Sequence, residues 1–442
     1  MPALRSLRRS LSPTLVAATL ALSAAALTGS ASADPPVSPP GFGGYPVGPG
    51  LYHLSGTDPD LPSDDLAPLK VILGNATYVG LGESFHTSGG FYELKHRVFR
   101  YLVQDMGFRV LAMETPWLTA ESVSHYVETC EGTPRDALNG VFSVFRSEET
   151  AALVQWMCEW NAAHPTDRVH FYGFDVQREA KPNAQALIAY LDTLGVPAGH
   201  PWIDGIRSCD GVVDSFYPFQ QFPAARYEEC QSALSAVEAY FDAEEPAIRN
   251  ATSRDALAEA RIHLRAEQGV QELEYKAPGN IFDAVAARDL VMAYMVEAIH
   301  DLQFPHARTA VWAHNGHVID NSTDALDYIS TGTHLSESLG DKYRIVGLGA
   351  HVTQVNWPAV GLCGPVDFET DGLVEDALHD LGLGDLIVDM SPRGSFTSFI
   401  DPEVEYSIGG FYYSSLPGNM DALLYLEESP KMASFAWPVC GE

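Results

Sequence analysis

The sequence predicts an α/β fold: a mainly parallel central sheet flanked by helices, with a helical insertion or subdomain. Three observations predict it. Short apolar runs recur at TYVGLG (77–82), RVLAMET (109–115), VHFYGFDV (169–176), TAVWAHN (309–315) and YRIVGLGA (343–350). Most are apolar at consecutive positions, as expected of strands covered on both faces. Stretches of helical periodicity lie between the runs, and strand–helix–strand order points to a parallel sheet with right-handed crossovers. Finally, residues 223–301 carry three amphipathic patterns in succession.

The elements follow in chain order. MPALRSLRRS holds Arg5, Arg8 and Arg9, and LVAATLALSAAAL and then ASA at 31–33 come after it. Basic, apolar, then small-x-small is a secretory pattern, so 1–33 reads as a signal peptide cleaved after Ala33. Arg8-Arg9 followed by Ser10 and Leu11 also fits a twin-arginine signal. The apolar run is short for a membrane span and is broken by Ser and Thr, so removal is expected rather than anchoring. The expected location is secreted or extracytoplasmic, with no membrane association after cleavage. Residues 34–65 read as a Pro/Gly-rich leader, because DPPVSPPGFGGYPVGPG (34–50) has no capacity to build a core. Residues 66–222 are the first part of the α/β core. Within it FYELKHRVFRYLVQDMG (91–107) spaces Phe91, Leu94, Val98, Tyr101 and Leu102 as a helix does, and Gly107 can end it. Residues 223–301 are the helical insertion, and 302–442 the second part of the core. MDALLYLEES (420–429) reads as a last strand or edge element.

The formal net charge is −32, from 26 basic and 58 acidic residues. That balance speaks first to solubility, and it argues against nucleic acid or an anionic membrane surface as partner. The cysteines are Cys130, Cys158, Cys209, Cys230, Cys363 and Cys440. An even count in an exported chain implies disulfides, and sequential pairing is the expectation. The absence of CxxC or zinc-knuckle spacing argues against a thiolate metal site.

The chemistry gathers after the strands. Glu83 and His86 follow the first run and Glu114 the second; Asp175 and Gln177 follow the third. His314, Asn315 and His317 follow the fourth, and His351 the fifth. In open α/β sheets ligands bind outside the carboxyl ends of the strands, so one parallel sheet would deliver all of these to one edge. Singly, each has a bland role. Glu83 caps a helix, Glu114 neutralises a helix N-terminus, His314 and His317 form a satisfied core pair, and Lys95 is a solvated helix side chain. Polar groups at the same end of several strands are harder to dismiss.

No GxSxG elbow, HExxH, P-loop or helix-opening GxGxxG is present, which leaves water as the nucleophile. His86 can accept a proton near neutral pH, with Glu83 or Glu114 fixing its tautomer. Lys95 or Arg97 could stabilise an oxyanion. No cofactor is expected. The alternative is a divalent ion held by Glu83, His86, His314 and His317, as in a metal-dependent hydrolase or peptidase. A third reading is a non-catalytic secreted ligand-binding protein.

The chain resembles the erythromycin esterase family, enzymes that hydrolyse the lactone ester of macrolide antibiotics. The resemblance rests on GLGESFHTSGGFYELKHRVFRYLVQDMGFRVLAMET, VFRSEETAALVQWMCEWN, VHFYGFDVQ, RDLVMAYM, TAVWAHNGHV, GTHLSESLGDKYRIVGLG and MDALLYLEES, spanning roughly 70–430, with GExxH and AHNxH the most specific pieces. It implies an α/β core with a helical portion, a cleft at the strand ends and a small-molecule ester or lactone as substrate. It implies His86 as the water-activating base with Glu83 as its partner. Glu114, His314 and His317 would be further essential residues, with Lys95 where the family has a basic residue and Arg288 from RDLVMA. Arg97, Asp175, Gln177, Asn315, Arg288 and His351 are the candidate substrate-binding residues. One departure is local: Thr87-Ser88-Gly89-Gly90 follow the motif histidine, where the family has Gly-Thr and then Glu.

Overall fold

Alternate residues of the apolar runs point to opposite sides of a sheet, and both sides are buried. Val79 and Leu81, Leu111 and Met113, Ala310 and Trp312, and Val346 and Leu348 belong to one core. Their neighbours Tyr78, Val110, Ala112, Val311 and Ile345 belong to a second core on the other face. A period of two with no polar face requires helices on both sides.

The computed structural model describes residues 46–177, 180–209, 223–276, 279–303, 307–322, 328–358, 361–366, 373–391 and 419–437. The signal segment expected at 1–33, the Pro/Gly-rich stretch up to residue 45 and Cys440 lie outside the described residues. The strands are β1 (Pro46–Gly48), β2 (Leu51–His53), β3 (Tyr78–Leu81), β4 (Phe108–Pro116), β5 (His170–Asp175), β6 (Arg308–Trp312), β7 (Tyr343–Trp357), β8 (Leu362–Val366), β9 (Leu386–Asp389) and β10 (Ala422–Ser429). They form one sheet of order β1-β2-β9-β10-β7-β3-β6-β4-β5, with β8 paired to β7. From β10 through β5 every pairing is parallel. The pairings of β1, β2, β9 and β8 are antiparallel.

The five apolar runs are β3 to β7. The last strand, β10, is not an edge element, because it is hydrogen-bonded between β9 and β7. The segment expected as a leader contributes more than its Pro/Gly content suggested. Leu51 and Leu54 are buried, and β2 pairs with β9. A three-residue strand inside a Pro/Gly background gives no periodicity to read.

Helix Gly89–Met106 lays Phe91, Leu94, Val98 and Leu102 on the first face, and Gly107 ends it in the left-handed conformation. Helix Ile281–Gln303 lays Met292, Met295, Val296 and Ile299 on the second. The helical portion also contains Ala224–Ala243, Glu245–Ala251 and Arg254–Lys276. It starts earlier than residue 223: helices Ala180–Thr193 and Pro201–Ser208 share its core of Leu187, Leu191, Ile206, Leu234 and Phe241. Cys130–Cys158 and Cys209–Cys230 are disulfides, as sequential pairing expects. Cys363 is disulfide-bonded too; the remaining expected pair involves Cys440. Among the described residues no helix is long and apolar enough to cross a membrane.

The topology places a crevice. β3 and β6 are parallel neighbours. The helix after β3, Gly89–Met106, packs on the first face, whereas Leu335 of the helix Thr331–Leu339, which comes after β6, packs on the second. Where adjacent parallel strands send their following helices to opposite faces, the carboxyl ends are left open between them.

Candidate active site

Backbone pairing continues past the ends of β3 and β6. The Asn315 N–H donates to the Glu83 carbonyl at 2.8 Å, and the Ser84 N–H to the Leu348 carbonyl at 3.0 Å. The Asn315 side-chain amide donates to the Leu348 carbonyl at 2.9 Å. Gly82 is needed beneath it, since a Cβ there would stand 2.0 Å from Asn315 Oδ1. The two chemistry-bearing segments, 83–86 and 314–317, are thereby fixed to one another across the sheet.

His86 is held from several sides. Its Nδ1 lies 2.7 Å from Glu83 Oε1. Glu83 is fully buried, and its other oxygen accepts from Lys95 Nζ, which also donates to the Ala313 carbonyl at 3.0 Å and sits over the Trp312 ring. A carboxylate accepts only, so Nδ1 carries the hydrogen and Nε2 the lone pair. The rings of His314, Phe145 and Trp357 stand 5.3, 5.4 and 6.0 Å from the imidazole, all edge-on or nearly so. Burial pushes the His86 pKa below its usual value, against the opposing pull of Glu114. The base form is therefore the resting form.

Thr87, the next residue, has φ of 69° although it is β-branched. That conformation costs roughly 1–3 kcal/mol and survives only where its surroundings over-determine it. Here they do. Thr87 N–H donates to Tyr92 Oη at 3.0 Å, its hydroxyl accepts from the Asn356 N–H at 3.1 Å, and its carbonyl accepts from the Met432 N–H at 3.1 Å. The strain lies in the loop that aims His86.

Glu114, near the carboxyl end of β4, lies between two partners. Oε1 accepts from Arg288 Nη2 at 2.8 Å and Oε2 from the His314 N–H at 2.9 Å. Burial alone would raise its pKa, but His317, His86 and Arg288 outweigh burial and hold the carboxylate well below its usual range. Arg288 also grips Asp175, with Nε and Nη2 at 3.1 and 2.5 Å from its two oxygens. His314 caps the short helix Asn315–Val318: Nδ1 accepts from the Gly316 N–H at 3.0 Å, so Nε2 carries the hydrogen and donates to the Ser84 carbonyl at 2.9 Å. Burial and the neighbouring imidazoles of His86 and His317 pull its pKa down to about 3, which keeps it neutral. Both His314 nitrogens are thus engaged in building the site. His317 differs. Its Nδ1 lies 2.9 Å from Asp289 Oδ1, and Nε2 lies 3.4 Å from Glu114 Oε1 and 2.9 Å from Arg288 Nη1. Burial would lower its pKa, but Asp289 and Glu114 prevail and raise it.

The structure therefore brings together Glu83, His86, Lys95, Glu114, Asp175, Arg288, His314 and His317, with Asn315 bracing them from below. Gln177 enters through its backbone N–H, which donates to Asp175 Oδ1 at 3.0 Å. Two expected site residues lie elsewhere. Arg97 is buried against Asp65, with Nη1 and Nη2 at 3.0 and 2.6 Å from its two oxygens, so it pins the N-terminal segment and is not positioned to meet an oxyanion. His351, on β7, pairs with Asp376 at 3.2 Å and stacks on His379 at 3.8 Å, neither of which belongs to the cluster. Lys95 is fully buried behind Glu83, so it neutralises Glu83 rather than facing a substrate. Asp289 is the residue the sequence reading missed. It sits beside Arg288, and successive helical positions point about 100° apart, so one charged pair serves two neighbours.

The Glu83, His86, His314 and His317 set does not fit a divalent ion. Lys95 and Arg288 place positive charge on Glu83 and Glu114, and both His314 nitrogens are taken. Among the described residues, ligand atoms converge only at Cys209, Cys230 and Glu267, where the two sulfurs are already joined.

Comparison with known proteins agrees with this architecture. The family model for erythromycin esterase matches residues 103–429. Erythromycin esterase type II of Escherichia coli is 24% identical over 315 residues, covering 66% of this chain and 73% of the relative. A crystal structure of a Bacillus cereus protein superposes with a TM-score of 0.73 at 21% identity, covering 87% of this chain and 96% of that one. An erythromycin esterase mutant in its open conformation superposes with a TM-score of 0.65 at 16% identity, covering 84% and 95%.

Proposed function

The chain belongs to the erythromycin esterase family, and from that premise we propose that it hydrolyses a carboxylic ester by water that His86 activates. The observation that carries this reading is the Glu83–His86 pair. Glu83 Oε1 fixes the Nδ1–H tautomer, and Nε2 is left to accept a proton from water. Lys95 compensates the Glu83 charge, so the carboxylate orients His86 without itself needing solvent. The water oxygen attacks the acyl carbon, its proton passes to His86 Nε2, and the acyl–oxygen bond opens. We assign Arg288 to the developing oxyanion: it is a buried cation of the cluster, held by Glu114 and Asp175 and meeting His317 through Nη1.

The substrate class we propose is a cyclic or bulky ester, with a macrolide lactone as the first candidate because the Escherichia coli relative is named for one. Phe145 and Trp357 beside His86 supply apolar walls suited to such a ligand. We place the enzyme outside the cytoplasm: the basic, apolar and small-residue order of 1–33 and the disulfides Cys130–Cys158 and Cys209–Cys230 support that location. The test is a mass-spectrometric screen of purified protein against macrolides and simple esters. A product heavier than a lactone by one water is expected; binding without any turnover across the panel contradicts the reading.

A further inference from the structure

Two carboxylate–imidazole pairs stand in the cluster, both within the electrostatic reach of Glu114, and the mechanism above uses one of them. The second is Asp289–His317. Asp289 is fully buried on the helix Ile281–Gln303. Its Oδ1 accepts from the Thr331 N–H at 2.8 Å and from the Thr331 hydroxyl at 3.0 Å, which locks the carboxylate to the first residue of the helix Thr331–Leu339. Both of its oxygens lie within reach of His317 Nδ1, at 2.9 and 3.1 Å. As with Glu83, a carboxylate that only accepts assigns the hydrogen to Nδ1. What varies at His317 is therefore Nε2.

We infer that His317 is the proton donor to the departing alkoxide, and that Asp289 is the positioning residue that gives it this role. The inference rests on ester hydrolysis as proposed above. His86 takes a proton from water as the carbon–oxygen bond to the nucleophile forms. His317 Nε2–H gives a proton to the alkoxide oxygen as the acyl–oxygen bond breaks, and the imidazole is left neutral. The carboxylic acid product releases one proton to solvent, and His86 returns its proton through solvent to His317. No other reactant is needed. When neutral, Nε2 accepts from Arg288 Nη1 at 2.9 Å; when protonated, it faces Glu114 Oε1 at 3.4 Å. The charged groups that face His317 are Asp289, Glu114 and Arg288, with His86 and His314 further across the cluster. The net effect of these surroundings separates the two imidazoles, with His86 poised as base and His317 as acid.

Leaving-group dependence tests this, because a nitrophenolate departs without a proton and an alkoxide does not. Asp289→Asn is expected to lose about 10²-fold or more in kcat on an alkyl ester and far less on the matching nitrophenyl ester. His86→Ala is expected to lose activity on both. In parallel, NMR of the labelled imidazoles is expected to show His317 titrating above the usual histidine value of about 6.5 in the native protein, and lower by about one unit or more in Asp289→Asn. If Asp289→Asn does not fold, His317→Gln replaces it in the ester comparison. Equal losses on the two esters overturn the inference. So does a native His317 that titrates below about 6.5, even if the wild type cleaves neither ester and the hydrolase reading itself falls.

Discussion

His86 and Glu83 stand three residues apart in one loop and meet at 2.7 Å through Nδ1 and Oε1. A buried carboxylate would be costly there without Lys95 behind it. Removing one partner of the Glu83–Lys95 pair therefore harms the fold as well as the chemistry. Burial drives the Lys95 pKa well below its usual value, so Glu83→Gln is expected to leave a buried amine without its carboxylate partner and to destabilise the protein by about 1–3 kcal/mol in urea unfolding. Glu83→Gln combined with Lys95→Met is expected to recover much of that stability and none of the ester cleavage. Recovery of activity in the double variant would show that Glu83 does not orient the base.

The pH profile follows from the direction of the His86 shift. Burial lowers its pKa, so the neutral base persists below the usual histidine value and is lost only as the solution becomes more acidic still. The acid limb of kcat/KM is expected below about pH 6.5. An acid limb centred above that value would contradict the burial of the base.

Acid stability should follow from other imidazoles. Burial lowers His96 and His314 to about 3, and His170 and His263 to about 4. Among the described residues His96 also has no hydrogen-bond partner at either ring nitrogen. In the unfolded chain each takes up a proton near the usual value of about 6.5. Stability is complete above that pH and falls as pH drops toward 4, by about 1.4 kcal/mol per unit for each group. Urea midpoints at pH 7 and pH 4.5 should differ accordingly. Equal midpoints would mean that these histidines are not buried neutral.

Arg97 gives a control. Its fork closes on Asp65 and on the carbonyls of Gly56 and Pro62. Arg97→Met is expected to cost about 3–5 kcal/mol of stability by stranding the Asp65 charge, with kcat per folded molecule unchanged. A selective loss of kcat would return Arg97 to the site.

Much of this was legible in the sequence, for a physical reason. Strands buried on both faces must be apolar throughout, so β3 to β7 announce themselves, and the polar residues that follow them stand out by contrast. β1, β2 and β9 are three or four residues long and pair antiparallel at the margin, where composition says little. The site was readable where one segment carried its own contrast, as with Glu83 and His86. It was not readable where a role depends on which way a helix turns. Arg97 and Lys95 lie on the same helix, yet one meets Asp65 and the other Glu83. Asp289 was hidden for the same reason. Thr87 was hidden because its left-handed backbone is imposed by Tyr92 on the following helix and by Asn356 and Met432, which come from two distant segments.

The most direct measurement is the single-turnover rate of ester opening by His86→Ala, taken beside circular dichroism of the same sample. A loss of about 10²–10⁴-fold is expected for a general base, with the folded signal retained. A folded His86→Ala protein that opens the ester at the wild-type rate would contradict the account.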